Sequence, residues 1–408
     1  MNPGLKQAGI HTSHDVRRIE LTEWLPRDVV LTEAELQGVL SCPAQIQVQA
    51  LRNGVYRLRP GSSVGLINLE TIQILIIPKC EMPSLLFMLA DVYEFASLLP
   101  QLSGYEKSSD VVDLLIQMFL AQTATVIRQG LRRTYVTKQD ELIVARGRIG
   151  MRESSALHFQ GRPRLFCTFE EFTLNGVENQ LLLAALNQIW KRPLLGVHRR
   201  SLARRLAAEF EDVIPQVPGA AQLRRVRRDR LNMHYWPAVG LAELILQQSG
   251  LATQFGEVSG NGFLIDMNKL FEAFVCRKLR KALAPLGVTT HSHVREYFDE
   301  EKTTSIIPDL CFTAPTGIRL VGDTKYKTGT TAASADLYQM LAYCRIMKIR
   351  QGVLITVGNR EGIRHNIRDG ETVISVIPVD LSCSVDDIDR SIGQLAQWVS
   401  DSLNSVSE

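Results

Sequence analysis

The period of the apolar and polar pattern changes along the chain, and the changes mark its organisation. From Ile19 to Pro78 the period is mostly two. The run IQVQALRNGVYRLRPGSSVGLINLETIQILIIPK alternates between Asn-Gly and Pro-Gly breaks and predicts a succession of β-hairpins. The stretch EMPSLLFMLADVYEFASLL (Glu81 to Leu99) turns helical. A longer helix is predicted over Ser108 to Arg133, with Ser109 or Asp110 placed to cap its start. Gly130, with Arg128, Arg132 and Arg133 around it, marks the end of that helix. DELIVARGRIG returns to strand character. NQLLLAALNQIW, RSLARRLAAEFEDVI and PAVGLAELILQQSG read as helices, with a break around Pro215, Pro218 and Gly219.

From Asp266 onward the order of elements is informative. DMNKLFEAFVCRKLRKAL sets Leu270, Phe271, Phe274, Val275 and Leu279 at helical spacing. GVTTHSHVREYF reads as a strand. Ile306 to Phe312 reads as one further strand, and Ile318 to Val321 opens the strand that returns. Then come the helix SADLYQMLAYCRIMK and the strands GVLITV and VISVIPV. This predicts a three-stranded antiparallel meander whose sheet is extended after a crossover helix. The fold expected is α+β multidomain, with a β-rich N-terminal domain (1–104), a mainly helical, Arg-rich middle (105–260) and a C-terminal α/β core (261–408).

Within the C-terminal hairpin, Asp309 and Asp323 are equidistant from Thr316, at the centre of the predicted turn Ala314-Pro315-Thr316-Gly317. Residues directly opposed on antiparallel strands have Cβ atoms roughly 5 Å apart. Two facing carboxylates repel unless a cation lies between them. Lys325, two residues past Asp323, projects to the same face. Two hard carboxylates suit Mg²⁺, and a neighbouring ammonium suits the charge that develops at a phosphodiester under attack. Either half of the pattern is frequent by chance. On adjacent strands the two halves become a signal, although a surface hairpin with ordinary polar residues fits them too.

Hydrophobic residues make up 45% and charged residues 22% of the 408, the balance of a globular chain with a sizeable core. No uninterrupted apolar run reaches the roughly 18 residues of a membrane helix, and Met1 to Arg18 lacks the apolar segment of a secretory signal. A cytoplasmic protein with no membrane partner is expected. The seven cysteines are odd in number and form no CxxC pair, so neither a disulfide framework nor structural zinc is expected. His291 and His293 would share a strand face, but no second cluster supports a metal there. The net charge of +3 does not itself indicate nucleic acid. Arginine does cluster in HRRSLARRLAAEF (His198 to Phe210) and LRRVRRDRLNMHYW (Leu223 to Trp236). These runs fit phosphate contacts, and equally a solvated helix face. The chain has no P-loop and so no nucleotide-hydrolysing motor of its own.

Pro308-Asp309 and Asp323-Thr324-Lys325, on elements in this order, resemble the PD-(D/E)xK nuclease superfamily. The resemblance implies that Asp309 and Asp323 hold a metal and that Lys325 acts in catalysis. It adds Glu272, on the preceding helix, as a further metal ligand. Gln339 and Tyr343, four apart on one helix face, resemble the Q-x-x-x-Y feature of the RecB-like branch and would contact the site or the DNA. The carbonyl of Thr324 is expected among the metal ligands. A surface acid is an alternative reading of Glu272, and a core residue of Tyr343.

Across nearly the whole chain, IELTEW, IIPKCEMPSLLFML, GLRRTYVTKQDELIVARGRI, CTFEEFTLNGVENQLLLAAL, LFEAFV, GDTKYK and DLYQMLAY resemble, in order, the McrC family. McrC proteins are the nuclease subunits of McrBC-type, GTP-dependent 5-methylcytosine restriction systems. Asn175 stands where that family pattern leads us to expect an acid. The resemblance implies a Mg²⁺-dependent DNA endonuclease in phage defence, with Mn²⁺ as a substitute metal. It implies double-stranded DNA as substrate and a separate McrB-like AAA+ ring as partner, with GTP bound by that partner and not by this chain. The surface that stimulates the partner would lie within residues 19–80. Arg52, Arg57 and Arg59 are candidates there, though charged strand edges explain them as well. Two other readings stay open: an activator or scaffold of an AAA+ GTPase that does not cut, and a stand-alone repair nuclease.

Overall fold

A computed structural model describes residues 17–42, 46–69, 71–102, 111–191, 196–217, 229–230, 232–250, 263–317, 319–328, 334–368, 370–382 and 384–404. The first part contains β1 (Arg17–Thr22), β2 (Arg27–Val30), α1 (Glu33–Leu40), β3 (Gln47–Ala50), β4 (Val55–Arg59), β5 (Ser63–Asn68), β6 (Ile72–Ile77) and α2 (Met82–Val92). The β3–β4 hairpin turns at Asn53 and Gly54, both with positive φ (58° and 72°), as the Asn-Gly pair predicts. β5 and β6 form a second hairpin, whereas β1 pairs with β6 in parallel. Helix α1 falls where strand was expected. The signal for it is local: Thr32 and Glu35 form a reciprocal capping box. Between the sheets β1-β6-β5 and β2-β4-β3, a core of Ile19, Leu21, Val29, Val39, Leu58, Ile72 and Ile74 is buried.

The middle carries α3 (Val111–Gln129), β7 (Thr134–Leu142), β8 (Arg148–Ile149), α4 (Met151–Phe159), β9 (Leu165–Thr173), α5 (Val177–Trp190), α6 (Val197–Ala208) and α7 (Trp236–Gly250). The caps expected for α3 at Ser109 or Asp110 lie outside the described residues. By length and composition α3 could cross a membrane, but Leu115, Phe119, Leu120 and Val126 are buried in the protein core, where α3 packs on α7 and α6. The strands β7, β9 and β8 form their own antiparallel sheet.

The last part begins with β10 (Phe263–Asp266), which pairs antiparallel with β5 and so extends the N-terminal sheet to β1-β6-β5-β10. The close approach depends on Gly65, whose φ is 129°; a Cβ there would lie 2.1 Å from the Phe263 carbonyl oxygen. Asp266 then caps α8 (Met267–Leu283), accepting from the Asn268 N–H at 3.0 Å. Next come β11 (Thr289–Ser292), β12 (Glu296–Tyr297), β13 (Ser305–Ile306), β14 (Leu310–Thr313), β15 (Arg319–Thr328), α9 (Ser334–Ile346), β16 (Gln351–Val357), β17 (Ile363–Asn366), β18 (Val373–Val379) and α10 (Val385–Asn404).

A six-stranded sheet runs β11-β14-β15-β16-β18-β17, with β11, β14 and β15 as the antiparallel meander and β16 joining in parallel after α9. One side of it, with Phe312, Leu320 and Tyr326, shares a core with Phe271 and Phe274 of α8 and Ile392 of α10. The other side, with Cys311, Val321 and Leu354, packs on Met340, Tyr343 and Cys344 of α9. Each such large apolar side chain contributes about 1.5–3 kcal/mol on full burial. Ile306 to Phe312 is not one strand. Pro308 has no N–H to donate and restricts Ile307. The chain leaves the β12–β13 pair at Ile306 and enters the main sheet only at Leu310.

Candidate active site

The ladder between β14 and β15 ends with Leu310 opposite Gly322. One step further the same register leads to Asp309 and Asp323, at the open end of the pair. Asp309 lies in the bend that Pro308 creates. Its Oδ2 accepts the Thr324 N–H at 2.8 Å and the Thr324 hydroxyl at 2.7 Å. Thr324, expected as a ligand through its carbonyl, thus holds Asp309 through its two donors.

Asp323 is only 1% exposed. It projects, with Val321 and Lys325, to the α9 side of the sheet. Lys325 Nζ stands 2.5 Å from Asp323 Oδ2. The two form a close ion pair on the buried oxygen. Burial first, then the Asp309 charge, pushes the Asp323 carboxyl up to about 6, against the pull of Lys325. Burial alone would draw Lys325 toward the neutral amine, but Asp323 and Asp309 outweigh it and hold the ammonium above its ordinary value.

Glu272 projects from α8 toward the same place. Its pKa is raised by burial and by the charges of Asp309 and Asp323, while His293 opposes them. His293 Nε2 is 2.8 Å from Glu272 Oε1. On α9, Gln339 donates to the Tyr343 hydroxyl at 2.8 Å. Tyr343 is 6% exposed and packs in the core, yet the Asp323 charge, after burial, raises its phenol. Asp309, Asp323, Lys325, Glu272, Thr324 and Tyr343 are therefore linked by contact or charge, and Gln339 joins through Tyr343.

Each acid has its own partner: Thr324 for Asp309, Lys325 for Asp323 and His293 for Glu272. Among the described residues no three His, Cys, Asp or Glu side chains already converge as a cation cage. The donor set nevertheless fits a hard divalent cation. It consists of carboxylate oxygens whose mutual repulsion, only partly offset by Lys325, is what a cation would relieve.

His293 is a residue the sequence reading discounted. It lies just past β11 with φ 54°, and its role rests on Glu272, which is distant in sequence. Asp336, in the first turn of α9, was also missed. It accepts from Lys327 at 2.9 Å and its charge reaches Asp323. The arginine runs fare unevenly. In α6, Arg199 is spent on Asp113, at 2.6 Å. Leu223 to Arg228 lie outside the described residues. In the N-terminal sheet, Arg57 makes a two-pronged pair with Asp28 across β2 and β4 (2.7 and 2.9 Å), and Arg59 donates to the Trp24 carbonyl at 3.2 Å.

Comparison with known proteins adds to this geometry. A chain from a refined half-complex of a tetradecameric assembly of Thermococcus gammatolerans McrB AAA+ hexamers with bound McrC superposes with a TM-score of 0.60. It shares 18% identity, over 94% of this chain and 100% of that one, which establishes likeness of fold. A chain from the cryo-EM structure of the Thermococcus gammatolerans McrBC complex aligns at 20% identity over 65% of this chain and 88% of that one, with a TM-score of 0.42. No curated protein matches. The family described as McrBC 5-methylcytosine restriction system component matches residues 58–356, most of the chain. The chain belongs to that family.

Proposed function

We propose that this chain is the nuclease subunit of a McrBC-type restriction system. It is a Mg²⁺-dependent endodeoxyribonuclease of the PD-(D/E)xK type that cuts double-stranded DNA together with a McrB-like AAA+ GTPase and stimulates that partner. The observation that carries the reading is the ion pair of Asp323 with Lys325 at the open end of the β14–β15 pair, with the charges of Asp309 and Glu272 felt there. The likeness of fold to a chain from assemblies of McrB hexamers with McrC supports the partner. Residues 1–104 would engage the ring, 105–260 would contact flanking phosphates and 261–408 would cut, in the cytoplasm.

Asp309, Asp323 and Glu272 would hold the Mg²⁺, with the Thr324 carbonyl beside them. When bound, the ion would polarise the phosphoryl group and lower the pKa of an attacking water. Thr324 fixes the carboxylate of Asp309. Lys325 would orient or activate the attacking water and steady the negative charge gathering on the phosphate. Gln339 and Tyr343 brace the α9 side of the site and would orient the scissile strand.

The test is plasmid cleavage in Mg²⁺ by this protein mixed with its AAA+ partner, with and without GTP, on methylated and unmethylated DNA, beside Asp323→Ala. The expected result is GTP-dependent cutting that is lost in the variant. No cutting, with the partner's GTPase still stimulated, would establish an activator instead. Cutting without a partner would establish a stand-alone nuclease.

A further inference from the structure

Tyr326 joins two parts of the molecule that the acidic site does not itself connect. It follows Lys325 on β15 and points to the opposite face, into the core that α8 covers. There its hydroxyl donates to Glu23 Oε1 at 2.9 Å, a buried bond between residues 303 apart in sequence. The same oxygen accepts the Lys79 N–H at 2.6 Å, and the Glu23 N–H donates to the Ile77 carbonyl at 3.0 Å. Glu23 follows β1 and Lys79 follows β6, so both sit at the ends of paired strands in the N-terminal sheet. The Tyr326 ring also lies against Phe271, with centroids 5.9 Å apart. Phe271 precedes Glu272 on α8. Tyr326 is thus one residue from Lys325 along the chain and, through Phe271, one residue from Glu272.

The catalytic strand needs such a holder at this point. Its ladder with β14 ends at Gly322. Its ladder with β16 runs to Lys325 opposite Thr356 and resumes only at Thr328 opposite Val357. Tyr326 and Lys327 fall in the interruption, where the strand bends and its setting depends on side chains. Lys327 is tied to Asp336 of α9, at 2.9 and 3.0 Å. Tyr326 is tied to Glu23. Lys325 stands on the last paired rung before the gap, with its ammonium at Asp323.

We infer that Glu23 and Tyr326 form a latch through which the N-terminal sheet sets the position of Lys325, and with it the rate of phosphodiester cleavage. The Tyr326 hydroxyl also has the Cys80 thiol as a partner, and β10 ties the same sheet to α8, so displacing that sheet, as a partner docked on residues 1–104 would, reaches Lys325 through Tyr326 beside the route through α8. The rate half of the inference rests on the nuclease reading above; the structural half does not. Glu23 and Tyr326 are positioning residues, remote from substrate.

The test uses the full chain with its AAA+ partner, and reads both cleavage kinetics and amide hydrogen exchange of 324–328. Tyr326→Phe keeps the ring and removes the donor. It should lower kcat about tenfold, the worth of one buried hydrogen bond, with KM for DNA and stimulation of the partner's GTPase unchanged. Exchange at 324–328 should quicken by about the same factor while β14 and β18 stay protected. Glu23→Gln keeps an acceptor oxygen and should stay within about twofold of the parent on both readouts. Glu23→Met should move both readouts in the same direction as Tyr326→Phe, which also loses the Cys80 contact, and adding it to Tyr326→Phe should change nothing further, as for a shared bond. Tyr326→Phe behaving as the parent in exchange, or additive losses in the double variant, would overturn the latch. If the parent chain does not cut at all, the nuclease reading fails. The exchange arm then still decides the latch, in favour if exchange quickens in Tyr326→Phe and not in Glu23→Gln, and against it if exchange is unchanged.

Discussion

Two buried carboxylates, Glu23 at the N-terminal junction and Asp323 in the sheet, look alike by burial. They are 0% and 1% exposed. In both, burial is the first cause of a raised pKa. Their surroundings differ. Glu23 receives two neutral donors, the Lys79 N–H and the Tyr326 hydroxyl, and the Lys79 charge is the least of the influences on it. Asp323 faces Asp309, feels Asp336 and touches an ammonium. A buried acid alone marks a packed junction. Several acids crowded around one cation mark a place built to receive positive charge.

The comparison is broken most directly by substitution at Asp323. Asp323→Ala should lower plasmid cleavage by about a thousandfold or more, judged from the worth of one essential charge in a preorganised site. The melting temperature should hold or rise, because a repulsive charge leaves. Glu23→Leu should act chiefly on stability, with a loss of rate of only about tenfold from the broken latch. It leaves the Lys79 N–H and the Tyr326 hydroxyl without their carboxylate acceptor and should cost about 1–3 kcal/mol in urea unfolding.

A subtler difference appears with pH. The folded-state pKa of Glu23 lies above the unfolded value of 4.5, so between the two the folded chain keeps a proton the unfolded chain has lost. The stability this group contributes is full below 4.5 and fades as pH rises through the folded value. The urea midpoint of the parent chain, measured against Glu23→Gln, should accordingly fall relative to the variant across that window. A flat difference would show that Glu23 is not burdened by burial. The smallest effect belongs to the exposed Arg57–Asp28 pair. Arg57→Ala should leave the melting temperature unchanged within error, since solvent screens such pairs.

Much of the site was legible because its key parts are close in sequence. The centre of the Ala314–Gly317 turn fixed which residues would face each other, and alternation along β15 placed Lys325 beside Asp323. The split at Pro308 is legible in the proline itself, although the apolar residues on either side of it suggest one continuous strand. Helix α1 was hidden under a β-rich average, although Thr32 and Glu35 spell its start. The partners of the acids were not legible. His293 reaches Glu272 from another element, and Glu23 reaches Tyr326 across most of the chain. Neither local pattern nor period carries information about contacts made only by the packing of one sheet on another.

The place of β10 has a practical consequence. The strand that leads directly into α8 completes the N-terminal sheet. A cut before Phe263 would strip β5 of its neighbour in the N-terminal piece and leave a bare hydrogen-bonding edge, an invitation to aggregation. A fragment starting at Phe263 would carry a strand with nothing to pair against. Cassette exchange between relatives will succeed only when β5 and β10 travel together. The seam along which the chain can be divided without damage does not follow the order of its residues.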